Sequence, residues 1–221
     1  MQEIPSQITR LCLIRHGETE WNAERRIQGQ IDIGLNANGV AQAQAAGRWL
    51  RGAGIVALHS SDLKRAATTA AEIGALLGLP VSHHPELRER CYGVFQGLTY
   101  AEAAERHPEG YAAFEGRNPD YAFENGESLK AMYARVTGRL RAIAAAHAGQ
   151  TVALVVHGGV LDIVNRFVRG TPLERPRDFL IPNAGLNWIS TVDSEKGPKW
   201  HIESWGETAH LEPGALDELP S

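Results

Sequence analysis

Residues 11–22 read LCLIRHGETEWN, from Leu11 to Asn22. The first four, Leu11–Ile14, are apolar without alternation, the pattern of a strand covered on both faces. An arginine, a histidine and a glycine follow at once. Two adjacent cations repel each other unless an anion sits between them, so the end of this strand is expected to carry an anion site.

Outward from this stretch, strand and helix patterns alternate. Val40, Ala43, Gly47 and Leu50 recur at helical spacing within residues 36–52. IVALHSSD (55–62) reads as a second strand running into Ser60, Ser61 and Asp62, all good helix N-cap types. An Ala-rich helix is predicted over 63–78, with Gly78 and Pro80 as stop signals. VSHH (81–84) is a short strand, and Thr99 with Glu102 has the spacing of a capping box opening a helix that stops before Pro108. Leu129, Met132, Tyr133, Val136, Leu140 and Ile143 form one helical stripe, read as core packing. TVALVVHGG (151–159) repeats the design of the first stretch: an apolar strand ending in a histidine and glycines, with a helix after it. GLNWISTVD (185–193) and KWHIESW (199–205) read as a late strand pair, a hairpin or sheet edge.

Strands alternating with helices predict an α/β layered sandwich with a mostly parallel central sheet and helices on both faces. The aromatic, Gly- and Pro-containing segment 107–126 does not fit the sheet and reads as a short helical or loop insertion over the site. The chain of 221 residues is expected to form one domain, 1–221, with a small cap insertion at about 99–128.

Bulk properties narrow the function. A net charge of −4 argues against a general nucleic-acid binder. Cys12 and Cys91 are too few for a disulfide scaffold. There is no apolar signal core and no run of ~18 apolar residues, so no membrane partner is expected and a cytoplasmic location is the default. No H-E-x-x-H, C-x-x-C or EF-loop pattern occurs, and His83 and His84 would face opposite sides of a strand, so neither a metal site nor a cofactor is predicted.

In parallel sheets ligands gather beyond the carboxyl ends of the strands. Arg15, His16, Arg65 and His157 all fall in or just after such ends, and together they suit a compact, multiply charged anion such as phosphate. The helix start near Asp62 and the turn at Gly158–Gly159 could add backbone N–H groups. Binding alone needs no histidine so placed, but a neutral imidazole can accept a phosphoryl group. Arg15, Arg65, His157 and Asn22 would then hold the phosphoryl oxygens. An alkoxide leaving group needs a proton, and Glu89, between Arg88 and Arg90, is the best candidate acid; a neighbouring phosphate dianion should raise its pKa. HGG might suggest a lipase oxyanion loop, but no G-x-S-x-G supplies a nucleophile.

RHGETEWN, SSDLKRAATTA, ELRERCYGVFQG and VVHGG, in that order and across nearly the whole chain, resemble the histidine phosphatase superfamily, with its phosphoglycerate-mutase-like fold. RHGETEWNAERRIQGQ and the tail AHLEPGALDEL are most similar to its bacterial probable phosphoglycerate mutase group. The resemblance implies His16 as the phosphorylated nucleophile and Arg15, Arg65 and His157 as the phosphate pocket. It implies Glu89 as proton donor and acceptor, and Asn22, Gln28 and Gly29 as loop positions over the phosphate. Tyr92 corresponds to a position contacting the organic part of the substrate; Arg90 and Gly158 complete the expected substrate contacts. The activity implied is a metal-independent phosphomonoesterase for a small phosphorylated metabolite, acting as a monomer or homodimer. The first alternative is a phosphoglycerate mutase, which would need a carboxylate clamp from Arg90, Tyr92 and Arg117. Mutases of the resembled family carry a longer insertion with paired arginines, whereas residues 107–126 offer only Arg117, a departure favouring the phosphatase. ERCYG points the other way. The second alternative, an inactive phosphate- or phosphopeptide-binding module, is disfavoured because His16 and Glu89 are both present.

Overall fold

The computed structural model describes residues 7–195 and 197–211; most of the tail that entered the resemblance lies outside them. In chain order the elements are β1 (Ile8–Arg15), α1 (Glu20–Ala23), α2 (Ala37–Trp49), β2 (Ile55–Ser60), α3 (Lys64–Leu77), β3 (Val81–His83), α4 (Tyr100–Arg106), α5 (Pro108–Glu115), α6 (Leu129–Ala146), β4 (Thr151–Val156), α7 (Gly158–Arg169), β5 (Leu186–Val192) and β6 (Lys199–Glu207). The six-stranded sheet has the order β3-β2-β4-β1-β5-β6. The four strands from β3 to β1 run parallel; β5 and β6 add an antiparallel edge.

The period of two along a strand explains why both faces are covered. In β1, Leu11 and Leu13 join the core under α6 and α7, while Cys12 and Ile14 join the core under α2 and α3. In β4, Val152, Leu154 and Val156 face the first core and Ala153 and Val155 the second. Each large aliphatic side chain so buried contributes about 1.5–3 kcal/mol. The α6 stripe packs as expected, with Met132 and Val136 fully buried and Tyr133 at the margin.

The ends of β1 and β4 lie side by side, with Arg15 opposite Val156. This register brings His16 and His157 together, 5.2 Å between ring centroids, although 141 residues separate them (157 − 16). α3 follows β2, the other neighbour of β4, and so brings Arg65 to the same end of the sheet.

One local expectation is corrected. Ser60, Ser61 and Asp62 do not cap α3: its N-cap position is Leu63, with no side-chain cap bond. Ser61 turns to His157 and Asp62 accepts two bonds from Arg88 at 2.7 and 2.6 Å, because these long-range partners win over the local cap. Arg26 donates to the Gly97 carbonyl at 2.7 Å and to Glu102, tying the loop after α1 to the start of α4. The capping box of Thr99 and Glu102 is present.

The 99–128 segment carries a second helix, α5, begun by Pro108 at a position where its missing N–H costs nothing. Phe95, Ala103 and Phe123 bury with Ile27 in a third, separate aromatic cluster. His84 meets His59 Nδ1 at 3.0 Å, and His59 Nε2 meets His147 at 3.2 Å. The central ring uses opposite nitrogens, so the three form a chain and do not converge on one point. Among the described residues no group of three or more His, Cys, Asp or Glu is placed to hold a metal ion, and no helix is long and apolar enough to cross a membrane.

Candidate active site

Beyond the carboxyl ends of the strands lies a cleft of about 600 Å³, lined by residues that include Arg15, His16, Arg65 and Glu89. Asn22, Gln28, Gly29 and Tyr92 line it too, as do Trp21 and Arg25.

The backbone after β1 is anchored on every side. The Gly17 N–H donates to Thr69 Oγ1 of α3 at 3.0 Å. The Glu18 carboxylate accepts from Asn36 and Asn38 at 2.8 and 3.0 Å, and its N–H donates to Gln42 at 2.9 Å. Asn183 donates to the His16 carbonyl at 3.0 Å. Gly17 is required by close approach: a Cβ there would stand 2.3 Å from the Gly39 carbonyl oxygen in the first turn of α2. The loop carrying the histidine is thereby clamped between two helices.

This anchoring defines the chemistry of His16. Its Nδ1 lies 2.7 Å from the Gly17 carbonyl oxygen, which can only accept, so Nδ1 carries the proton and Nε2 the lone pair. Arg65 Nε donates toward that lone pair at 3.3 Å. Burial, then the charges of Arg65 and Arg15, hold the His16 pKa well below the ordinary value of 6.5. The ring is a neutral imidazole with its nucleophilic nitrogen beside a guanidinium.

Arg65 is fully buried; its other donors bond the carbonyls of Ile31 and Gly29 at 3.0 and 2.6 Å. It both shapes the loop over the cleft and points at His16. Arg15 is braced by the Ile181 carbonyl at 2.6 Å. Asn22 gives its Oδ1 to the N–H and hydroxyl of Thr19, at 3.1 and 2.9 Å, which leaves the NH₂ end of its amide as the donor for a ligand. Gln28 Oε1 is buried with no partner among the described residues.

Two backbone N–H groups hold Glu89. One carboxylate oxygen accepts the Arg90 N–H at 2.6 Å and the other the Gly159 N–H at 2.9 Å, in the first turn of α7. A Cβ at Gly159 would fall 2.2 Å from Glu89 Oε1, so a larger residue there would push the carboxylate aside. The HGG glycines, expected to supply N–H groups to phosphate, thus include one whose N–H serves the acid. At the other expected helix start the Lys64 N–H goes to Asp32 at 2.7 Å. Arg135 of α6 fixes the main chain here, donating to the carbonyls of Glu86, Arg88 and Glu89 at 2.9, 2.7 and 3.0 Å.

A second cleft of about 520 Å³ shares the wall of Tyr92, Tyr100 and Phe114 with the first and includes Gly158. Arg90 and Arg117 line it with donors already engaged: Arg90 on the carbonyls of Glu127 and Tyr121, both at 3.1 Å, and Arg117 on the Leu173 carbonyl at 2.9 Å and Asp162 at 2.6 Å. Arg166 completes a buried Arg–Asp–Arg group, so Arg117 ties the 99–128 segment to α7. Cys91 is half-buried, with its thiol 3.3 Å from the Asn125 carbonyl oxygen.

Sequence reasoning assigned no role to Ser61, Glu18, Asn183 or Arg135. Ser61 was visible only as a cap type. Asn183 sits in a turn-rich stretch, and Arg135 lies among the polar positions of an amphipathic helix, where an arginine is ordinary.

The two buried histidines carry a stability consequence. His157, like His16, is held neutral, by burial and then by Arg65 and the other nearby cations. The unfolded chain binds protons at these histidines as pH falls below about 6.5, while the native state does not. A lowered folded pKa therefore means that stability is lost as pH drops through that range. Each of the two adds a slope of up to about 1.4 kcal/mol per pH unit. Urea unfolding at pH 5.0, 5.5 and 6.0 reads it; equal stability at all three would contradict the neutral pair.

Comparisons place these features among known proteins. A model of the histidine phosphatase superfamily, branch 1, matches residues 11–208. The chain is 41% identical over 212 residues to a metal-independent phosphoserine phosphatase of Arabidopsis thaliana, covering 95% of this chain and 86% of that one. It is 37% identical to a probable phosphoglycerate mutase of Citrobacter koseri, covering 94% and 97%. Among solved structures, a mycobacterial glucosyl-3-phosphoglycerate phosphatase in complex with VO3 superposes with a TM-score of 0.81 at 30% identity, covering 90% of this chain and 99% of that one.

Proposed function

Since the chain belongs to the histidine phosphatase superfamily and is a phosphomonoesterase, we propose that it hydrolyses a small phosphorylated metabolite through a phosphohistidine on His16. The observation that carries this reading is the His16 ring, which lines a cleft with Arg15, Arg65 and Glu89: Nδ1 is committed to the Gly17 carbonyl, which leaves the lone pair on Nε2, beside Arg65 Nε.

The phosphoryl group sits between Arg15, Arg65 and the NH₂ of Asn22, with Gln28 and Gly29 in the loop above it. Nε2 attacks phosphorus as the ester P–O bond breaks, and protonated Glu89 gives its proton to the departing alkoxide. Water then attacks phosphorus as the Nε2–P bond breaks and returns its electron pair to His16, Glu89 takes a proton from the water, and inorganic phosphate leaves. The two N–H groups on Glu89 favour its carboxylate form, while an arriving phosphate dianion favours the acid. The balance of the two lets one residue serve both steps. The organic group extends toward Tyr92, and the 99–128 segment acts as the cap of a single domain. The phosphoserine and glucosyl-phosphoglycerate phosphatases among the similar proteins support that class of substrate.

Two measurements test this reading. Arg15, Arg25 and Arg65 supply the counter-charge for the anion, and a cleft so lined repels cations. Phosphatase activity on a panel of phosphometabolites should survive exhaustive chelation; a strict requirement for added Mg²⁺ would overturn the pocket described. A mutase would instead need cations for the glycerate carboxylate, whereas Arg90 is tied to backbone carbonyls and Arg117 to Asp162 and Leu173. Incubation with 3-phosphoglycerate, with and without 2,3-bisphosphoglycerate, should give little 2-phosphoglycerate, while some monoesters release inorganic phosphate. Rapid bisphosphoglycerate-stimulated interconversion with negligible phosphate release would establish the mutase instead.

A further inference from the structure

His157 has two ring nitrogens, and the described protein partners only one. Nε2 lies 2.8 Å from Ser61 Oγ. Nδ1 is buried without a hydrogen-bond partner among the described residues, in a ring that neighbours His16. A neutral imidazole has a single N–H, so the partner of one nitrogen decides what the other presents.

Ser61 settles which. It is fully buried, and its oxygen already accepts the Leu63 N–H at 3.3 Å. The hydroxyl proton remains, and His157 Nε2 is the acceptor within reach. In the opposite arrangement His157 would donate from Nε2, the Ser61 proton would have no acceptor among its described contacts, and Nδ1 would turn a lone pair toward incoming phosphate oxygens.

We propose that Ser61 is a positioning residue that fixes His157 as the Nδ1–H tautomer, so that the uncharged ring offers a hydrogen-bond donor to the phosphoryl group. The role in turnover rests on the phosphatase reading above; the tautomer itself does not. The charged and titratable groups facing the ring are Arg65 from α3, His16 and Arg15 at the end of β1, and Arg135 from α6. A neutral donor adds no further cation to that group, yet still contacts the phosphoryl oxygens.

The test has a structural arm and a kinetic arm. Ring ¹⁵N shifts of the labelled protein at pH 7, assigned with a His157→Gln variant, should show a protonated Nδ1 and an unprotonated Nε2. Ser61→Ala should move the proton to Nε2 or mix the two forms, and Ser61→Thr, which keeps the hydroxyl, should restore the first pattern. In turnover, Ser61→Ala should lose about 100-fold in kcat/KM near neutrality, comparable to loss of one oxyanion donor. Ser61→Thr should recover most of the loss. An Nε2–H ring in the wild type, or a Ser61→Ala loss with the tautomer unchanged, would overturn the proposal. The expected tautomers in a protein lacking phosphatase turnover would instead count against the phosphatase reading alone.

Discussion

Replacing His16 by alanine is expected to lower phosphomonoesterase turnover by ~10⁴-fold or more, because the covalent route loses its only nucleophile. The neighbours make this loss specific. Arg15 is braced by the Ile181 carbonyl and Arg65 by those of Gly29 and Ile31, so the phosphate seat persists without the ring. His16→Ala should therefore still bind inorganic phosphate or vanadate while failing to turn over. Brief mixing of the wild type with substrate and quenching should leave a phosphoryl group that is labile to acid, stable to base and located on His16. Removing Nε2 removes the attacking atom, whereas removing one phosphate donor typically costs only ~10²–10³-fold. Near-normal turnover in His16→Ala would sink the mechanism.

Glu89→Gln is expected to slow alkyl phosphates by ~10²–10⁴-fold and p-nitrophenyl phosphate much less. An alkoxide cannot leave without a proton, whereas nitrophenolate can. The amide is nearly isosteric, but only its oxygen can accept: the Arg90 and Gly159 N–H groups now bond two acceptor oxygens, and glutamine satisfies one. Some local adjustment follows, so the ratio between the two substrates, not the absolute loss, is the diagnostic quantity. Equal losses on both would assign Glu89 to water activation or to structure alone.

Much of the architecture was legible in the sequence because it is written in local periods. The unbroken apolar runs at Leu11–Ile14 and Thr151–Val156 announce strands buried on both faces, and Leu11 and Cys12 do fall into separate cores. The α6 stripe, the Gly78 stop and the Thr99 capping box are likewise properties of a few consecutive residues. The chemistry was legible for a related reason. Strand ends in a parallel sheet share one edge, so residue types placed after them converge whatever their separation; Arg15, His16, Arg65 and His157 do so.

What the tertiary structure alone decided is the partner of each polar atom. Ser61 looked like a cap and instead meets His157, 96 positions away. Gly159 looked like a phosphate donor and instead holds Glu89, 70 positions away. Arg117 looked like half of a carboxylate clamp and instead grips Asp162, 45 positions away. Backbone periodicity follows from the sterics of neighbouring residues and survives in any context. A hydrogen-bonding side chain has several acceptable partners of similar energy, and which one it meets depends on how distant elements pack. Composition and spacing therefore determined that the protein folds as an α/β sandwich with a phosphate-type site, while packing decided what the ring nitrogens of His16 and His157 meet.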